Sequence, residues 1–130
     1  MPAKHIVDVE ARLLITTWEG DATDMDFIEG LKEYQKNIQS KSEYHGFNEI
    51  INFTGIASIK LTASGLKRIG SIASTTDSKN ISTKLAFIVS SNLAYGLVRM
   101  YEAYRSLSRN STKLVRVFKK ESDALEWVQR

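Results

Sequence analysis

Residues 84–107, KLAFIVSSNLAYGLVRMYEAYRSL, read as a strand followed by a helix, and much of the chain repeats this unit. The unbroken apolar run 85–89 predicts a strand buried on both faces, as in the centre of a parallel sheet. Asn92 is predicted to cap a helix that runs to about Ser108. Two apolar rows at helical spacing give this helix a wide buried face. They are Leu93, Leu97, Met100, Tyr104 and Leu107, and beside them Ala94, Val98 and Tyr101.

Before this unit, two β-rich runs at 5–9 and 13–18 predict a hairpin, and the polar segment 20–22 is expected to end it. Thr23 and Asp26 then have the spacing of a helix capping box. The apolar positions that follow recur at helical spacing, which predicts one buried helix face. The chain therefore opens with two antiparallel strands and an amphipathic helix.

The middle and the end of the chain repeat the alternation. A strand at 50–53 is followed by a predicted loop to Leu61, and Thr62 is expected to cap the next helix. After the polar stretch 74–83 and the unit quoted above, 114–118 predicts the last strand. The final helix is expected to open at Glu121 or Ser122.

The predicted order is β-β-α-β-α-β-α-β-α in a single domain spanning residues 1–130. Such alternation predicts an α/β fold, with a mostly parallel mixed sheet flanked by helices and right-handed crossovers. The opening hairpin supplies the antiparallel edge.

The composition of the chain argues against several kinds of functional site. The chain has no cysteine, which excludes disulfides, cysteine zinc sites and a thiol nucleophile. The charged N-terminal stretch and the lack of a long apolar run predict a cytoplasmic protein without a membrane span. Residues 1–65 carry six Lys/Arg against ten Asp/Glu, and residues 66–130 carry twelve against five. The basic residues are dispersed along the second half and do not form a block. We therefore expect the charges of the acidic and basic halves to complement each other within one folded domain, and we predict no nucleic-acid partner.

Reactive groups do not form a recognisable catalytic or metal-binding pattern. The two histidines, His5 and His45, lie far apart in sequence, and Asp21, Asp24 and Asp26 lack the glycine and closing glutamate of a calcium loop. Phosphate-binding glycine motifs and hydrolase nucleophile motifs are also missing. We therefore predict no catalytic residue, no metal and no cofactor, and expect that the protein is not an enzyme. An enzyme of unrecognised type stays open as an alternative.

Several motifs resemble the bacterial SpoIIAA-like family, which is related to the STAS domain of anti-sigma-factor antagonists. They occur in the family's order along nearly the whole chain: LITTWEG (14–20), NFTGI (52–56), SNLAYGLVRMY (91–101), VF (117–118) and DALEW (123–127). The resemblance implies a STAS-like fold. Because that fold is also similar to the lipid-carrying CRAL-TRIO domain, it suggests apolar ligand binding as well.

One motif departs from this resemblance. Anti-sigma-factor antagonists carry an Asp-Ser-Ser/Thr-Gly-Leu turn whose first serine accepts phosphate from a kinase. The nearest match is TASGL at 62–66, where Thr62 replaces the aspartate and Ala63 replaces the phosphoacceptor. Ser64 remains a candidate phosphoacceptor. The alternative is a purely structural role for Ser64, as a small polar residue in the first turn of a helix. We therefore expect the usual phosphoserine switch to be missing.

The helix after Asn92 is the predicted functional surface, because aromatic, Met and Arg residues are enriched where proteins meet partners. Our first hypothesis is a non-catalytic regulatory or protein-interaction module, with a protein partner or a second copy of the chain. The alternative is a carrier whose pocket holds a small apolar ligand between the second and third helices. The candidate partner or ligand surface is Tyr95, Arg99, Met100, Tyr101, Tyr104 and Arg105.

Overall fold

A computed structural model describes residues 3–76, 81–106 and 113–130. The five strands are β1 (Ala3–Asp8), β2 (Leu13–Thr23), β3 (Asn48–Lys60), β4 (Lys84–Ile88) and β5 (Leu114–Phe118). The four helices are α1 (Asp24–Tyr34), α2 (Ala63–Ser74), α3 (Asn92–Ser106) and α4 (Glu121–Gln129). A π-helical turn, Gln35–Gln39, and a short 3-10 turn, Ser42–Tyr44, follow α1.

The strands form one sheet in the order β1-β2-β3-β4-β5. β1 pairs with β2 in the antiparallel direction, and the three other pairings are parallel. This arrangement confirms the predicted element order and the α/β class with an antiparallel edge.

Apolar residues on both faces of the sheet form the core. On one face, Phe27 of α1, Leu66 of α2 and Val98 of α3 pack in a single cluster with the sheet. On the other face, Trp127 of α4 belongs to a second cluster. β4 contributes to both clusters because its side chains alternate, which confirms that this strand is buried on both sides.

Two predicted boundaries are wrong. β2 continues through the predicted break at 20–22, and β3 continues through the predicted loop before Leu61. The two strands pair with each other over this extension, from Glu19↔Gly55 to Thr23↔Lys60, with two register shifts. The polar and glycine-containing residues therefore mark bulges in a paired ribbon, which local sequence cannot distinguish from a strand end.

Two of the three predicted helix caps are confirmed. Thr23 and Asp26 form the capping box of α1, and the Thr62 side chain accepts a hydrogen bond from the backbone of Gly65 at the start of α2. The prediction for α3 is wrong by one residue, because Ser91 Oγ accepts from the backbone N–H of Ala94 at 3.1 Å. The predicted end of α3 at Ser108 lies outside the described residues.

Candidate functional site

A cavity of about 110 Å³, here called the core cavity, lies between the sheet and helices α1, α2 and α3. Nearly all of its lining is apolar. The lining includes Leu31 of α1, Leu66 and Ile69 of α2, and Leu97 and Val98 of α3. The carrier hypothesis drawn from the sequence expected an apolar pocket between the second and third helices. The core cavity is lined by residues of those helices and also by residues of α1.

Aromatic rings form a continuous wall of the core cavity. Neighbouring ring centroids lie between 4.7 and 5.9 Å apart, within the range of favourable aromatic pairs. Rigid rings cannot collapse as flexible side chains do, so the wall helps to keep the space open. The rings, in order, are Trp18, Phe27, Phe53, Phe87 and Tyr101.

Small residues on two helices also shape this space. Gly30 of α1 lies against the indole of Trp18, and a Cβ atom at Gly30 would come within 2.9 Å of that ring. Ala94 of α3 is buried and lines the cavity. A larger side chain at either position would therefore enter occupied space or the cavity itself.

Polar groups contact the core cavity through His5, Thr16 and Tyr34. His5 Nδ1 and Thr16 Oγ1 are 2.8 Å apart and share a hydrogen bond, and the rings of His5 and Tyr34 lie 5.0 Å apart. His5 Nε2 is buried and has no hydrogen-bond partner within the described part of the chain. Burial lowers the pKa of His5 below 6.5, against a smaller opposing effect of Glu33, so the neutral imidazole predominates at pH 7.

A polar cluster surrounds the buried carboxylate of Glu49 at the start of β3. Tyr34 Oη donates to Glu49 at 2.8 Å and Gln39 Nε2 donates at 3.0 Å, while Lys113 Nζ forms an ion pair with the second oxygen. Glu49 and Lys113 line a second cavity of about 140 Å³ with Gln39 and His45. Because both oxygens of Glu49 have partners, we interpret this polar cluster as structural.

Tyr34 joins the two spaces. Its ring lines the core cavity while its hydroxyl is bound to Glu49, which lines the second cavity. Burial is the larger cause that raises the pKa of Tyr34 well above 10, and the neighbouring carboxylate of Glu49 adds to it. The phenol therefore stays a hydrogen-bond donor at physiological pH.

The six residues predicted as one surface on α3 do not lie on one surface. Tyr95, Arg99 and Met100 are exposed, and Tyr104 is half-buried. Tyr101 and Arg105 are buried, with 7% and 3% of their surface exposed.

The helical period explains this correction. Tyr101 follows Leu97 by four residues and Arg105 follows Tyr101 by four, so all three lie on the face of α3 that packs on the core. All three residues of the second apolar row, Ala94, Val98 and Tyr101, are therefore core, whereas Leu93 and Met100 of the first row are exposed.

The start of α2 already holds a negative charge. Asp24 of α1 accepts hydrogen bonds from the backbone N–H of Thr62 at 2.8 Å and from its hydroxyl at 2.6 Å. Ser64 is exposed, and its hydroxyl lies 3.2 Å from that of Thr62. A side chain of the protein therefore occupies the anion-favouring end of this helix, and Ser64 stays an untested phosphoacceptor prediction.

The described residues show neither a metal-binding cluster nor a membrane-spanning helix. Within 3–76, 81–106 and 113–130, no group of three or more His, Cys, Asp or Glu side chains could hold a metal ion. In the same ranges, no helix has the length and apolar character that a membrane span requires.

Sequence reasoning missed the polar groups of the core cavity. His5 shares one face of β1 with Ala3 and Val7, and this period of two was the available signal that its side chain points to the covered face. Thr16 and Tyr34 looked like ordinary strand and helix residues. Their shared position depends on the pairing of β1 with β2 and on the packing of α1, which a linear pattern does not contain.

Comparison with known proteins agrees with this architecture. No family model matches the sequence, and no curated protein matches it. Among solved structures, the chain is similar to an uncharacterized protein of the DUF3478 family from Shewanella loihica, which has a SpoIIAA-like fold. Identity is 16%, the match covers 89% of this chain and 83% of that chain, and the TM-score is 0.54. The likeness shows the fold and confirms the SpoIIAA-like fold expected from the sequence.

Proposed function

We propose that this SpoIIAA-like domain is a non-catalytic binding protein that holds a small, largely apolar molecule in the core cavity. The observation that carries the proposal is the cavity itself, about 110 Å³ of space with an almost entirely apolar lining beneath three helices. Protein interiors are normally filled to crystal-like density, so an open apolar space of this size invites an occupant.

The volume limits the occupant. An apolar cavity of about 150 Å³ in another protein binds benzene. The core cavity, at about 110 Å³, therefore suits a single ring or a short branched chain. A long-chain lipid would need more space, so the ligand class is narrower than the lipids suggested by the CRAL-TRIO resemblance.

Toluene is a suitable first probe because it is apolar and has a single ring. We expect it to bind with a dissociation constant of about 0.1–1 mM, the range open to so few contact atoms. A toluene titration followed by amide chemical shifts should perturb residues around Ala94 and Leu66. Unchanged shifts at toluene saturation would rule the proposal out.

Ala94→Leu should abolish toluene binding because the added side chain fills the cavity from α3. Ala103→Leu is the matched control, since it makes the same change at an exposed position of the same helix. We expect Ala103→Leu to bind like the unsubstituted protein. Equal toluene affinity in the two variants would show that toluene does not bind in the core cavity.

A second candidate function, the protein-interaction module, is favoured by exposed apolar side chains on α3. Leu93 and Met100 are 64% and 43% exposed and lie two helical turns apart on one face. Arg99 and Glu102 form an ion pair at 3.5 Å beside them. In an antiparallel pairing of two α3 helices, Arg99 of one copy would meet Glu102 of the other, as a twofold interface requires.

This candidate predicts a dimer of the chain. Sedimentation velocity over a wide concentration range should show dimer formation, and Met100→Glu should weaken it about tenfold or more because a charge would be buried. Met25→Glu, at an exposed apolar position of α1, is the control. A monomer at all concentrations would contradict the candidate.

A further inference from the structure

We propose that the ligand of the core cavity carries an uncharged oxygen acceptor, such as a carbonyl, and that His5 Nε2–H donates a hydrogen bond to it. This inference rests on the proposed function and specifies its ligand class. The buried nitrogen atom His5 Nε2 has no hydrogen-bond partner within the described part of the chain.

Such an atom needs an explanation, because nearly all buried polar groups in proteins have partners. Leaving a buried donor without a partner is unfavourable, because the hydrogen bond to water that the group loses on burial is not replaced. His5 lines the core cavity, so a ligand there is within reach of its ring. A bound acceptor would supply the missing partner.

Thr16 decides which nitrogen of His5 carries the proton. Thr16 is buried, and its only side-chain hydrogen bond within the described residues is to His5 Nδ1. If Nδ1 were protonated, the Thr16 hydroxyl proton would face no acceptor. The favoured arrangement is therefore Thr16 O–H donating to Nδ1, which leaves the proton of the neutral ring on Nε2.

The other polar groups at this end of the cavity are engaged. The Tyr34 hydroxyl donates to Glu49 at 2.8 Å, and the Thr16 hydroxyl is used by His5. Leu31 and Gly30, which carry no polar side-chain atom, also line the cavity. A carboxylate or a cation would lose its hydration there, so the acceptor is expected to be uncharged.

Acetophenone and α-methylstyrene test the inference because they differ only in C=O against C=CH₂. The protein should bind acetophenone about tenfold more tightly, the effect of one added hydrogen bond. His5→Phe should bring the ratio of the two affinities close to one, because the donor of the hydrogen bond is then gone, even if the altered lining changes both affinities together. Lys4→Phe, at the exposed neighbouring position of β1, should keep the preference.

His5→Phe could fail to fold, so a second measurement uses the unsubstituted protein. Imidazole ¹⁵N shifts should show the proton on Nε2 in the free protein, and only acetophenone should shift the Nε2 signal. Equal affinities for the two probes, or a preference that survives His5→Phe, would overturn the inference while the apolar binding site stands. If neither probe binds, the inference fails, and toluene binding decides separately whether the proposed function stands.

Discussion

Glu49→Gln is expected to lower the free energy of unfolding by about 3 kcal/mol, the range for breaking a buried ion pair from one side. The side chains of Glu49 and Lys113 are only 5% and 14% exposed. The glutamine keeps the shape but removes the charge that faces Lys113 and leaves the hydrogen bonds from Tyr34 and Gln39 without an ionised acceptor. Urea unfolding monitored by tryptophan fluorescence would measure the loss.

The chain offers a matched control for this change. Glu102→Gln alters an ion pair with Arg99 whose side chain is 61% exposed, so we expect a loss below about 1 kcal/mol. Adding Lys113→Met to Glu49→Gln should recover part of the stability, because the lysine charge is then gone as well. Similar losses for Glu49→Gln and Glu102→Gln would show that burial does not strengthen the Glu49 pair.

Gly65→Ala should lower the free energy of unfolding by about 2 kcal/mol, even though alanine favours helices by about 1 kcal/mol over glycine. A Cβ atom at position 65 would overlap the carboxylate of Asp24. The carboxylate would have to move and would lose its two hydrogen bonds from Thr62. Thermal or urea unfolding would measure the difference.

Two further variants isolate the role of Asp24. In the Asp24→Ala background the overlap is absent, so Gly65→Ala should change sign and stabilise the protein by up to about 1 kcal/mol. Gly96→Ala in α3 makes the same substitution where a Cβ meets nothing within 4 Å, and it should also stabilise. If Gly65→Ala destabilised both backgrounds equally, contact with Asp24 would not be the cause.

Local patterns predicted the elements that depend on near neighbours in the chain. The apolar run of β4 and the capping box at Thr23 are each complete within a few residues, and both are present in the structure. The extension of β2 and β3 could not be predicted in this way. Polar residues and glycines interrupt the apolar pattern of both strands there, and pairing with a distant segment keeps both extended.

The candidate site was harder to predict because a cavity consists of space that side chains leave unfilled. The pattern identified Leu97 and Tyr101 as apolar positions of α3, but it could not show that their packing against Phe87 leaves a gap. It also grouped Tyr101 and Arg105, which are buried, with exposed residues in one candidate partner or ligand surface. Helical spacing places residues in rows, and only the contacts of the folded sheet decide which row is covered.

Tyr34 lies between the core cavity and the amino end of β3, and it contacts both. The phenol is a rigid group, so a tilt of its ring caused by a molecule inside the core would also move the oxygen bound to Glu49, whereas rotation about the Cβ–Cγ bond would leave that oxygen in place. That carboxylate is tied to Lys113, the residue before β5, and to Gln39 in the turn after α1. A tilt of this one ring would therefore also disturb the hydrogen bonds and the ion pair that hold the residue before β5 and the turn after α1.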